Sequence, residues 1–176
     1  MKKIVFLITL ISLLNTGSFA QTASLNIILA DILSFSVTQP ASLNVNFDTE
    51  AKYTNGITAL ATDHVSVTSS SGFIVKVVAG SVTGSANLAP GTVKITSSIG
   101  STNTGNTSSI IYASEVTLPA SGSTPATIIT SEKSSWSGTS STNKFNISYL
   151  IGADGAYAGK TTGSNVIPVT YTVIQP

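Results

Sequence analysis

Hydrophobic and polar positions alternate along most of this chain with a period of two. In the opening stretch Ser24–Val37, Leu25, Ile27, Leu29, Leu33, Phe35 and Val37 fall on one face, while Ser24, Asn26, Ser34 and Ser36 fall mostly on the other. A strand repeats its side-chain direction every second residue, whereas a helix does so about every 3.6, so the pattern predicts a strand. The same alternation, or a short β-branched run, predicts strands at Leu43–Phe47, His64–Ser69, Phe73–Ala79 and Thr92–Thr96. Further strands are predicted at Ile110–Leu118, Ala126–Thr130, Lys144–Ile151 and Val166–Ile174. Turn signals punctuate them: Asn55-Gly56, Ser71-Gly72, Pro90-Gly91, Pro125 and Gly152–Gly155. No amphipathic helix of useful length is predicted. Many short strands without intervening helices predict an all-β fold, a single antiparallel β-sandwich. Ser66–Val77 reads as one hairpin turning around Ser70–Gly72.

The opening stretch is unusual in its length. At about 3.3 Å per residue it would run roughly 45 Å, more than twice an ordinary strand. Asp31 interrupts its apolar row. One arrangement that accommodates both features is a strand bent at a bulge near Asp31, with one half in each sheet of the sandwich.

The residues before it read as a targeting segment. Met1-Lys2-Lys3 is a positive start, Ile4–Leu14 an apolar core, and Ser18-Phe19-Ala20 a small-x-small site, so cleavage is expected between Ala20 and Gln21. The apolar run is too short to span a bilayer comfortably, and no second run of comparable length follows it. An exported protein is expected, with residues 21–176 as one β-sandwich domain and no membrane span after cleavage. Its destination is the extracellular space, the cell surface or the periplasm.

Composition narrows the chemistry. Only 9% of residues are charged against 41% hydrophobic, which is not the composition of a disordered chain. There is no Arg, and removing Lys2 and Lys3 takes the net charge from +1 to about −1, leaving no basic stripe for nucleic acid. With no Cys, disulfides, thiol nucleophiles and Cys-ligated zinc are excluded. His64 is the only histidine, so a two-His metal site cannot be built and a triad would have to use this residue. It opens a strand pattern just after a turn, which predicts an exposed structural histidine, with Asp63 beside it offering at most a weak local pair. Asp48, Glu50 and Asp154 have the spacing of turn-forming acids and not of a calcium loop. No catalytic residues, no cofactor and no metal are expected, and no enzyme.

Two Ser/Thr-rich spans, Ser97–Ser109 and Ser131–Asn143, read as loops within one domain, because strand patterns resume on both sides. The second holds the only Trp, Trp136. It reads either as an anchor folding back over one open end of the sandwich or as a surface contact for a sugar or partner.

The C-terminal stretch Gly155–Pro176 resembles the ending of secreted fimbrial-subunit-like proteins of Gram-negative bacteria. These include the spore-coat-U and α-fimbrial pilin-like types and related families of uncharacterised secreted domains. Gly155, Tyr157 and Gly159 match the Gly-x-Tyr-x-Gly turn of those families, and Val169, Thr170 and Tyr171 match part of their last strand. Tyr53–Val77 resembles their central hairpin. Two departures are the inserted Lys160–Asn165 and the absence of the disulfide found in many pilins. The resemblance implies an immunoglobulin-like, pilin-like sandwich. It also implies a second arrangement for the opening stretch: residues 21–30 as a donor strand that pairs through Leu25, Ile27 and Leu29 with the sheet edge of another subunit. Ile32–Val37 would then be the first strand of the chain's own sandwich. Asp31, costly to bury, suits a point where the chain passes between bodies.

Two functions remain open at this stage. One is a non-enzymatic structural or adhesive surface protein, a fimbrial or matrix subunit whose partners are copies of itself or related subunits. The other is a secreted module binding cell-wall or environmental polysaccharide through Trp136, Tyr53 and Tyr157.

Overall fold

The computed structural model describes residues 25–38 and 43–176. The targeting segment and its expected cleavage point at Ala20 and Gln21 lie outside the described residues. The chain divides into an N-terminal unit ending at Ala30 and a compact body from Asp31 to Pro176. In the former, residues 25–30 form neither helix nor strand, and Leu25, Ile27, Ile28 and Leu29 are 68% to 91% exposed. The opening stretch is therefore not one bent strand shared between two sheets. Its strand, β1, covers only Leu33–Val37. Ahead of it, the Ile32 amide donates to Ser70 Oγ (2.8 Å) and not to a ladder partner.

The body is the predicted antiparallel sandwich. Its other strands are β2 (Ile57–Ser69), β3 (Phe73–Ala79), β4 (Thr83–Gly84), β5 (Val93–Ile99) and β6 (Ile110–Tyr112). They continue with β7 (Val116–Thr117), β8 (Ala126–Ser131), β9 (Asn143–Ile151), β10 (Asn165–Val166) and β11 (Val169–Ile174). One sheet has the order β1-β2-β9-β5-β7 and the other β11-β3-β8-β6, with β10-β4 a small separate ribbon. Alternate residues of both sheets form one core. Phe73 of β3 and Phe145 of β9, both fully buried, meet in it with ring centroids 6.2 Å apart.

Four expectations need correction. The Ser66–Val77 segment is not a hairpin, because β2 and β3 belong to different sheets. Both strands turn alternate residues into the same core, Val65 and Val67 from one, Phe73 and Val75 from the other. Their side chains therefore face each other where a hairpin would have paired their backbones, and a period of two fits either geometry. Ile110–Leu118 is likewise divided between the sheets as β6 and β7. Leu43–Phe47 alternates as predicted, with Leu43, Val45 and Phe47 half-buried, yet it joins no ladder. Apolar alternation reports which side faces the core and not whether a free edge lies within reach. Lastly, a six-residue helix, α1 (Glu50–Asn55), precedes β2; Thr49 caps it by accepting from the Lys52 amide, and Gly56 ends it at φ 73°. It is too short to carry a helical period.

A groove between two sheet edges

The site emerges from strand register. In an antiparallel pair, residues directly opposite each other point to the same face. Leu33, Phe35 and Val37 of β1 lie opposite Ser69, Val67 and Val65, all three fully buried. The three β1 side chains thus face the interior, yet they remain 40%, 36% and 43% exposed. At the edge of the other sheet, Val169, Tyr171 and Val173 of β11 lie opposite Ala79, Val77 and Val75, also buried, and are themselves only half-covered. Two inward-facing apolar rows, one on each sheet edge, thus lack a covering layer among the described residues.

The gap between them is tied at one end. There the Gln175 side-chain amide donates to the Ile32 carbonyl (2.9 Å) and to Ser69 Oγ (2.8 Å), joining the ends of β11 and β1. Towards the other end the gap widens into a cavity of about 740 Å³, bordered by Val37, the Leu43–Phe47 segment and β11. Among the described residues, Lys160 is the one Lys, Asp or Glu side chain along this cavity.

His64 is the principal correction to the sequence reading, since it is buried, with 6% exposure. The cause is a bulge. Ala61 pairs with Ile147 and Val65 with Phe145, so Thr62, Asp63 and His64 together oppose only Asn146. Asp63 makes the bend at φ 49°, a left-handed conformation that Asp tolerates better than most residues. Its amide donates to Asn146 Oδ1 (2.8 Å), and its carboxylate accepts from Ser101 Oγ (3.0 Å) and Thr102 Oγ1 (2.9 Å). Burial pushes that carboxyl up, but the bonds from Thr102 and Ser101 and the Lys144 charge together bring it below the usual carboxylate range. Past the bend, strict alternation is lost and His64 packs inward beside Val65.

Around His64 the interior is aromatic. Its ring stands edge-on to Tyr171 at 5.7 Å and to Tyr149 at 6.4 Å, and the two tyrosine hydroxyls hydrogen-bond to each other. His64 Nδ1 is buried with no hydrogen-bond partner among the described residues. Burial pushes the imidazole below its ordinary pKa, a shift that the Thr38 backbone only partly opposes.

The proposed surface contacts separate into two places. Tyr157 is buried at 6% exposure, its hydroxyl on Thr92 Oγ1 (2.8 Å), and so offers little free surface. Gly152 permits this: a Cβ there would stand 2.6 Å from the Tyr157 ring, and its φ of 66° also favours glycine. Phe47 packs against both Tyr157 (5.1 Å) and the half-buried Tyr53 (5.4 Å), and all three line the cavity. Trp136 is 40% exposed on a different loop and does not border the cavity. Its neighbour holds that loop to β2. Ser135 is fully buried and exchanges bonds with Ser69: the Ser69 amide donates to Ser135 Oγ (2.6 Å), and the Ser135 amide to the Ser69 carbonyl (3.0 Å).

Neither models of known protein families nor curated proteins match this chain.

Proposed function

We propose that this protein is an exported, non-enzymatic structural or adhesive subunit whose groove receives a β-strand from another copy. The observation that carries this reading is the incomplete cover over the inward rows of β1 and β11. A sandwich that is complete in itself has no reason to leave Phe35 and Val37 half in water, and exposed apolar patches mark interaction sites. The chain also holds a segment suited to filling the gap. Leu25, Ile27 and Leu29 would share one face if the segment were extended, are 68% to 91% exposed, and carry no charge between them. Burying each contributes about 1.5–3 kcal/mol, and backbone bonds to a free sheet edge add direction and register. The likeness of Gly155, Tyr157, Gly159 and Val169–Tyr171 to fimbrial-subunit-like proteins supports the same reading, as does the amino-terminal targeting pattern.

The test is to express the whole chain, determine the start of the exported protein by mass spectrometry, and follow assembly by light scattering and electron microscopy. A start at Gln21 and filaments or oligomers are expected. Deleting residues 21–30 should give a folded β-rich monomer that no longer assembles. Loss of the β signal by circular dichroism in that deletion would refute the strand-exchange reading.

A second reading has one specific observation in its favour, since Phe47, Tyr53 and Tyr157 border the same cavity as Asn44 and Asn46. Aromatic faces beside amides suit a saccharide. Tyrosine fluorescence that responds to soluble polysaccharide, in a protein that stays monomeric, would favour this alternative.

A further inference from the structure

We propose that His64 is a proton-operated gate on the groove: the groove accepts a strand only while the imidazole is neutral. This rests on the strand-receiving reading above. The geometry supplies three conditions for such a gate. First, His64 borders the cavity, so an incoming strand would remove the remaining solvent from its surroundings. Second, its Nδ1 already lacks a partner among the described residues, so a proton added there would put an unsatisfied donor into a drying site.

Third, among the described residues only the Thr38 backbone favours a positive charge on His64, and no negative side chain faces it. The groups packed on it are Tyr149 from β9, Tyr171 from β11 and the backbone of Thr38 after β1, whose amide donates to the His64 carbonyl (2.7 Å). Burial raises both tyrosines above their ordinary value and favours their neutral form. Among the described residues, the cavity is bordered by one basic side chain besides His64, Lys160, and by no carboxylate. The adjacent Asp63 is occupied by Ser101 and Thr102 on the loop after β5.

The consequence follows from linkage. If a strand binds only the neutral form, its apparent affinity falls roughly tenfold for each pH unit below the imidazole pKa of the empty groove. By reciprocity, an occupied groove must lower that pKa further. Because burial already depresses the pKa, the window lies below the ordinary value of 6.5, and the groove is open to strands at neutral pH and closed in acid.

His64 is the sole histidine, so the Hδ2 and Hε1 proton NMR signals of its imidazole titrate without needing assignment to a residue. The experiment titrates the full-length exported protein from pH 7.5 to 4.5, alone and with a synthetic peptide of residues 21–31, and measures peptide binding over the same range for wild type and His64→Gln. Wild-type affinity should fall about tenfold per pH unit more steeply than that of His64→Gln, and bound peptide should lower the imidazole midpoint by about one unit or more. Parallel pH profiles, or a midpoint unmoved by bound peptide, would overturn the gate while leaving strand binding intact. No peptide binding and no assembly at any pH would overturn both. The midpoint measurement uses wild type alone, so it decides the matter even if the variant does not fold.

Discussion

The hydroxyls of Tyr149 and Tyr171 hydrogen-bond to each other across the interior, joining an inner strand of the five-stranded sheet to the edge strand of the other. Both phenols are pushed up by burial, and for Tyr171 the neighbouring Tyr149 adds to the shift. Tyr171→Phe should leave the Tyr149 hydroxyl without its partner and lower stability by about 1–3 kcal/mol in urea unfolding. Adding Tyr149→Phe should cost less than the sum of the single changes, because no orphaned hydroxyl then remains. Raised folded-state pKa values mean that the pair's contribution is complete below the ordinary tyrosine value of 10.0 and is lost as the pH rises beyond it.

His64→Ala should destabilise the fold by about 2 kcal/mol or more, since it empties a buried site between two aromatic rings. The wild-type protein should also be acid-sensitive. With the folded-state pKa below 6.5, the contribution of this group is whole above that value and is lost as the pH falls towards and through the folded-state pKa. Melting temperatures measured from pH 7.5 to 5 should fall for wild type more than for His64→Gln, and equal slopes would contradict this account.

Asp63→Ala should cost about 1–3 kcal/mol, through the bonds lost from Ser101 and Thr102 and the strain of Ala at a φ of 49°. Asp63→Asn should cost less, because Asn tolerates that backbone and still accepts one of the bonds. Chemical denaturation of the two variants checks the order. A reversed order would mean that the carboxylate charge, and not the bulge, is what matters.

Phe35→Lys places a charge in the inward row of β1 at a position already 36% exposed. Its long side chain can reach water from such a position, so the loss of stability should stay below about 1.5 kcal/mol. Assembly should nevertheless be abolished, because an arriving strand would have to bury the ammonium beside apolar side chains. Sedimentation together with circular dichroism separates a folded monomer from an unfolded chain.

How much of this was legible in the sequence depends on the range of the interaction. Period-two alternation is a local property, and it placed β3, β8 and β9 to within about one residue of their ends and the start of β5, whose far end runs on to Ile99, while the longer opening stretch shrank to β1. The absence of Cys and Arg and the single His bounded the chemistry without any coordinates. Pairing partners were not legible. Whether Ser70–Gly72 joins a hairpin or carries the chain from one sheet to the other depends on which edge is free, and Val65, Val67, Phe73 and Val75 read the same in both. The burial of His64 escaped because one left-handed residue at Asp63 breaks the alternation from which its exposure was inferred. The groove escaped for a related reason. Phe35 and Val37 have the pattern of core residues and do face the core side, but only the tertiary structure decides that no strand among the described residues covers them. Sequence determines which side of a strand is apolar, whereas the closure of the sandwich around that side is a non-local outcome.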